Sequence, residues 1–392
     1  MNIDFDSLRD PDAPIPGDRQ RAGVNQRARQ LRARSRMNRL ALSSVSVVAV
    51  VAVVFGIIAS QRDNGPHVIV EGGGTSTTLP APTTTTPTTA SAYKALSATF
   101  VSPAHGWALT KGPVEETTDG GRTWQRVGSV GGRFDGLIRF ADATHGFAFT
   151  KSQLIATTDA GRSWTVVATP FSDVYDLAVA RGVVYVVSFE ISGQPAFRIW
   201  SSPVGDTLHW TEDPLVIPPG AGPVPSIQLV FSGDRGWLMQ VDRTVVSGAQ
   251  MASDGTWTTW TPPCTSAGGE GFLAAPSPSD LVASCEEGTF TGPRITYGIY
   301  FSHDGGQTFT RHAAPSWGSI ATPNATTAVL PGSAGVQRTT DEGATWQGVF
   351  DTSLNAADLG FTTPTQGFIV FTNGDMLMTY DAGASWQKVT LP

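Results

Sequence analysis

The sequence predicts an all-β fold, a β-propeller of seven four-stranded blades preceded by one transmembrane helix. Three observations predict it. The first is an eight-residue box, S/T-x-D-x-G-x-S/T-aromatic, present as TTDGGRTW (117–124), TTDAGRSW (157–164), SHDGGQTF (302–309), TTDEGATW (339–346) and TYDAGASW (379–386). The box aspartates lie 40, 37 and 40 residues apart where copies adjoin, a period that marks one supersecondary unit per repeat. The second is a pattern that precedes each box, an apolar run, a polar turn and a second apolar run, which reads as a β-hairpin. The third is residues 40–60, LALSSVSVVAVVAVVFGIIAS, 21 residues without a charge. That length spans a bilayer core.

The hairpin pattern sets the blade count. It starts at 98, 138, 176, 227, 272, 319 and 359, and Gly-aromatic pairs open the second strand at Gly106-Trp107, Gly146-Phe147, Gly236-Trp237 and Gly367-Phe368. The 145 residues between Asp159 and Asp304 leave room for two units whose boxes have decayed, with SSPVGDTLHW (201–210) and MASDGTWTTW (251–260) as the remnants. Each box supplies the turn between a third and a fourth strand, and four strands per unit in seven units make a propeller. Physical chemistry gives every box position a task. The aspartates (Asp119, Asp159, Asp304, Asp341, Asp381) accept backbone N–H bonds, and the glycines (Gly121, Gly161, Gly306, Gly343, Gly383) take positive φ. The aromatic residues (Trp124, Trp164, Phe309, Trp346, Trp386) are expected between blades.

These residues resemble the Asp-box, or BNR, repeat shared by sialidases, sortilin-type receptors and photosystem assembly and stability factors. The texture is most similar to the last group, whose repeats also carry Gly-Trp-Ala ahead of T-x-D-G-G-x-T-W. The resemblance covers about 300 of 392 residues. It implies the propeller fold and leaves function open.

The segments before the propeller set its topology. Eight arginines (Arg19, Arg21, Arg27, Arg29, Arg32, Arg34, Arg36, Arg39) lie just before the apolar span and only Arg62 follows before Lys94, which places the N-terminus in the cytoplasm. The expected organisation is a disordered basic segment over 1–39, the membrane helix over 40–60, a Thr/Pro-rich extracytoplasmic linker over 61–92 and the propeller over 93–392. The expected location is therefore the plasma membrane, single-pass, with the propeller outside. Residues 1–62 carry a net charge of +5, so the remainder carries −12 of the total −7. An acidic ectodomain argues against nucleic acid as a partner. Cys264 and Cys285, the only cysteines, are expected to form a disulfide outside the cytoplasm.

No catalytic, cofactor-binding or metal-ligating set emerges. The six histidines lack metal-site spacing, and the boxes lack the ligand series of a calcium loop. The resemblance to sialidases would imply an arginine triad, a tyrosine nucleophile with its glutamate, and a Phe/Tyr-Arg-Ile-Pro motif. FRIW at 197–200 follows the second box and lacks the proline, so Arg198 reads as a strand residue. The leading expectation is a non-catalytic docking, assembly or sensing module for membrane or envelope proteins. A carbohydrate-binding protein or sialidase-like glycoside hydrolase is the alternative, with Trp200 and Trp317 as stacking surfaces for a glycan. Arg139, Asp176, Gln228 and Asp358, near the start of the first strands, are expected to face the central channel.

Overall fold

The computed structural model describes residues 93–392 except 133, 192–194, 207–208, 220–225, 242–244, 267 and 289–294. The basic segment, the expected membrane helix and residues 61–92 lie outside the described residues. Among those described, no helix is long and apolar enough to cross a membrane.

The chain folds into seven antiparallel sheets, each built from consecutive strands paired in chain order. The sheets are blades 1 to 7, spanning 97–129, 137–166, 176–212, 226–260, 268–313, 321–350 and 356–389. Blade 6 departs from the expected four strands. Its innermost strand is reduced to a single bridge, Ala321 to Val329, ahead of the strand Ala328–Gly332. Pro323, two residues on, has no N–H to offer a ladder. Both decayed boxes fall between the third and fourth strands of their blades, after Ala196–Pro203 and Val245–Met251.

Because every blade is an up-and-down meander, its turns sort onto two faces. The first hairpin turn and the box turn share one face, here the box face. The turn between strands two and three and the connection to the next blade share the opposite face.

The core lies between blades. Each of seven apolar clusters joins two neighbours; Trp107, Leu109 and Val114 of blade 1, for example, pack on Ile138, Phe140 and Ile155 of blade 2. The cluster between blades 7 and 1 sets Val370, Met376 and Met378 against Ala98 and Ala108. Among the described residues no strand is exchanged to close the ring. Tyr93 instead bridges Leu391, and the Ala95 N–H donates to the Gly374 carbonyl at 3.0 Å.

Candidate functional site

The five complete boxes form one repeated hydrogen-bonded turn. In the first, Asp119 Oδ1 accepts the N–H groups of Arg122 (3.0 Å) and Thr123 (2.9 Å), while Oδ2 accepts the Thr123 hydroxyl (2.6 Å). Thr117 Oγ1 donates to Asp119 and accepts the Gly121 N–H at 2.9 Å. The hydroxyl-aspartate-hydroxyl arrangement recurs around Asp159, Asp304, Asp341 and Asp381. Hydroxyl and N–H donation from Thr123, Ser163 and Thr345 holds Asp119, Asp159 and Asp341 down at about 2. Asp304 is lowered in the same way by Thr308. Burial pulls Asp381 upward, but Ser385 and Thr379 outweigh it and lower its pKa.

The residue just before each box glycine explains why the turn takes this shape. Gly120, Ala160, Gly305, Glu342 and Ala382 all have φ between +58° and +77°. Each donates its N–H to a carbonyl in the first hairpin turn of its own blade: Ala104, Thr144, Ser279, Thr326 or Thr365. Four of them then present a carbonyl to the preceding blade. Trp107 Nε1 reaches Ala160 at 3.0 Å, Trp237 Nε1 reaches Gly305 at 3.2 Å, and Arg338 Nε reaches Ala382 at 2.8 Å. Gln366 Nε2 and the Tyr380 hydroxyl both donate to Gly120, at 3.2 and 3.0 Å. The fifth is tied through its side chain, as His303 of blade 5 contacts both Asp280 (2.7 Å) and Glu342 of blade 6 (3.4 Å). The boxes are therefore joints between blades. Of the box aromatics only Trp386 is buried; Trp124, Trp164, Phe309 and Trp346 sit at the rims of the inter-blade clusters, because the box lies at the outer part of the sheet. The fully buried tryptophans are Trp107 and Trp237 of the Gly-aromatic pairs.

Arg139, Asp176, Gln228 and Asp358 all line one axial cavity of about 610 Å³. There they bond blades to one another. Asp358 of blade 7 takes Arg139 of blade 2 in a two-pronged pair (2.9 and 3.1 Å) and accepts the Ala98 N–H of blade 1 (3.2 Å) and the Ser97 hydroxyl. Ser97 Oγ accepts the Ile138 N–H of blade 2 at 3.2 Å. Asp176 of blade 3 accepts the Leu229 N–H of blade 4 at 2.8 Å. Gln228 of blade 4 accepts the Leu273 N–H of blade 5 at 2.9 Å and donates to the Gly271 carbonyl at 2.7 Å. Adjacent inner strands do not pair as a ladder, so their inward N–H groups would be orphaned without these acceptors. Blade 2 has Leu137 at the acceptor position, and the Leu177 N–H of blade 3 turns to its own Asp176 instead, at 2.8 Å. Burial pushes the Asp176 carboxyl up to about 6, against the Leu229 N–H and Arg139. Burial opposes the charge of Arg139, but Asp358 and Asp176 hold it on. Sequence reasoning missed Ser97, although it occupies the same register position as Asp176, Gln228 and Asp358.

Cys264, in a short 3-10 helix over Pro263–Ser266, is bonded to Cys285 on the second strand of blade 5, with a Cα–Cα distance of 5.5 Å. His105 and His145 pair with Glu116 (2.7 Å) and Asp142 (2.9 Å), and the described residues hold no cluster suited to a metal ion. Trp317 stacks on Phe272 at 5.6 Å. Arg198 of FRIW lies on the third strand of blade 3 between Glu190 (3.2 Å) and Glu212 (3.5 Å), beside Trp200.

No protein-family model matches the chain, and no curated protein matches it. Solved structures do resemble it. A structure of YCF48 bound to D1 peptide aligns with a TM-score of 0.52 at 20% identity, covering 74% of this chain and 94% of that one. YCF48 from Cyanidioschyzon merolae gives 0.53 at 15% identity, covering 74% and 95%. Virginiamycin B lyase from Staphylococcus aureus gives 0.51 at 11%, covering 74% and 96%. At these identities the likeness is one of fold, shared by proteins whose names describe different functions. The chain is an all-β, seven-bladed propeller with YCF48 among its structural neighbours.

Proposed function

We propose that this chain is a membrane-anchored, extracytoplasmic docking or assembly module of the Asp-box type, without catalytic activity, whose partners are segments of membrane or envelope proteins. One observation carries the reading. The aspartates, arginine and glutamine that the sequence singles out are engaged in joining blades, in the box turns and around the axial cavity alike. What they build is a rigid scaffold surface. The neighbour whose structure holds a D1 peptide supports a peptide segment as the kind of partner. Residues 40–60, the arginines before them and the Thr/Pro tract after them supply the anchor and stalk of this reading.

The test uses the full chain, solubilised from source membranes after in vivo crosslinking, with a heat-denatured sample as control. A membrane protein captured in stoichiometric amount should bind again when purified, through a peptide segment that saturates the propeller. Turnover of a fluorogenic glycoside by the purified chain, with no such partner, would overturn the proposal.

A further inference from the structure

We propose that the crevice between blade 3 and the segment 170–172 that leads into it, on the face opposite the boxes, is a binding site for a neutral saccharide. It is a cavity of about 410 Å³, within the span of about 300–1,000 Å³ typical of small-ligand sites. Blade 3 is built to make it. Its second and third strands, Val183–Glu190 and Ala196–Pro203, have eight residues each, where the matching strands of blade 2, Gly146–Thr150 and Gln153–Thr157, have five. Val187 is level with Asp176 at the start of the inner strand, so Ser188–Glu190 run on beyond it. At about 3.3 Å per residue this overhang is roughly 10 Å of sheet that blade 2 does not match.

The chemistry lies on one side of that overhang. Ser188 stands opposite Arg198, Val186 opposite Trp200, and Trp200 opposite Glu212. With a two-residue side-chain period, Ser188, Glu190, Arg198, Trp200 and Glu212 share one face of the sheet. It is the face toward blade 2, since Val184 and Val186 pack there against Phe147 and Phe149. The Trp200 indole is fixed by its Nε1–H bond to the buried Ser188 hydroxyl (3.0 Å) and by Phe171 at 5.6 Å. A half-buried indole held in place offers a π-face to the C–H groups of a pyranose ring. Arg198 contacts both glutamates through Nε, and among the described residues its terminal nitrogens have no acceptor. Carboxylate acceptors and guanidinium donors therefore stand side by side. Adjacent sugar hydroxyls, each both donor and acceptor, match that array. Two carboxylates against one guanidinium disfavour an anionic ligand, so neutral sugars are selected over sialic acids.

Isothermal titration and saturation-transfer NMR on the full chain test this, in a detergent without a sugar headgroup. The probes are N-acetylglucosamine, methyl β-galactoside and maltose, with N-acetylneuraminic acid and phenylalaninamide as contrasts. At least one neutral sugar should saturate the site, and N-acetylneuraminic acid should bind about tenfold more weakly. Glu212→Gln and Arg198→Gln should each weaken the sugar about tenfold, the loss expected for one charge-assisted hydrogen bond, with melting unchanged. Trp200→Phe, which keeps a ring beside Phe171 but loses the indole and its bond to Ser188, should weaken it severalfold. Silence toward all three neutral sugars, tighter binding of N-acetylneuraminic acid, or a sugar affinity indifferent to both charge variants overturns the proposal. Saturation by phenylalaninamide alone would assign the crevice to a peptide side chain and overturn it too.

Discussion

Trp107 gives the sharpest test of the view that box turns are joints between blades. Its side chain is fully buried, lies flat on Phe140 of blade 2 with ring centroids 3.7 Å apart, and donates Nε1–H to the Ala160 carbonyl at 3.0 Å. Two substitutions separate the contributions. Trp107→Ala removes the stack and the hydrogen bond and leaves a cavity, for a cost of about 3–5 kcal/mol. Trp107→Phe keeps a ring on Phe140 but strips the Ala160 carbonyl of its inter-blade donor, a loss of about 1–3 kcal/mol. A propeller of roughly 300 residues moves by about 2 °C per kcal/mol. Differential scanning calorimetry should therefore show a fall of about 6–10 °C for alanine and about 2–6 °C for phenylalanine. Trp237→Phe, which loses the equivalent bond to Gly305, should match the phenylalanine value. A Trp107→Phe variant melting within about 1 °C of the parent would refute the joint, because burial without the hydrogen bond would then account for the whole effect.

Ala160 and Ala382 hold φ of +63° and +59°. Replacing Ala382 with glycine removes about 1–2 kcal/mol of left-handed strain, offset by about 0.4–1 kcal/mol of added unfolded-state entropy, so melting should rise by about 0–3 °C, and a fall would contradict the assignment; Ala160 also loses a methyl packed in the blade 1–2 cluster, so its gain should be smaller. The box aspartates predict an acid transition. Asp119, Asp159 and Asp341 have folded-state pKa values near 2, below the ordinary carboxylate value, so their contribution is full above about pH 4 and is lost as pH falls toward 2. Tryptophan fluorescence melts should drop through that window, and constancy from pH 5 to pH 2.5 would exclude it. Asp176 has the opposite sign, because a pKa raised to about 6 makes stability decline as pH rises from about 4 to 6, readable by carboxyl NMR as a titration near 6. Asp358→Asn removes the carboxylate hydrogen-bonded to Arg139 and should cost about 2–4 kcal/mol, less than a wholly buried pair would because part of the guanidinium meets channel water. An unchanged melting temperature would mean that the ring does not depend on this junction.

The fold was legible because the repeat exposes its own constraints. A hydroxyl, an aspartate and a glycine at fixed offsets leave the backbone one economical turn, and the hairpin ahead of it fixes where the other strands must be. The missing inner strand of blade 6 was not legible in the same way. SIATPNATTAVLPG carries the apolar, turn, apolar rhythm, and Pro323 on one strand and Pro331 on the other, neither with an N–H for the ladder, flank the single bridge. The channel residues were readable as a location but not as junctions. Strand position places Asp176, Gln228 and Asp358 on the axis, but their use as acceptors for the next blade depends on long-range neighbours such as Leu229, Leu273 and Ala98.

In a repeat protein of this kind the strongest sequence signal marks what every blade needs, and what every blade needs is a joint. Recognition chemistry belongs where the repeat fails. Blade 3 has lost its box and extends its middle strands on the opposite face. The same departure gathers Ser188, Arg198, Trp200 and the two glutamates on one side of an overhang. FRIW drew attention to Arg198 through a motif for binding a substrate carboxylate, yet two carboxylates already flank that guanidinium. A second carboxylate-bearing ligand would compete with its own protein for the same donors, whereas a ligand of neutral hydroxyls could use donors and acceptors together.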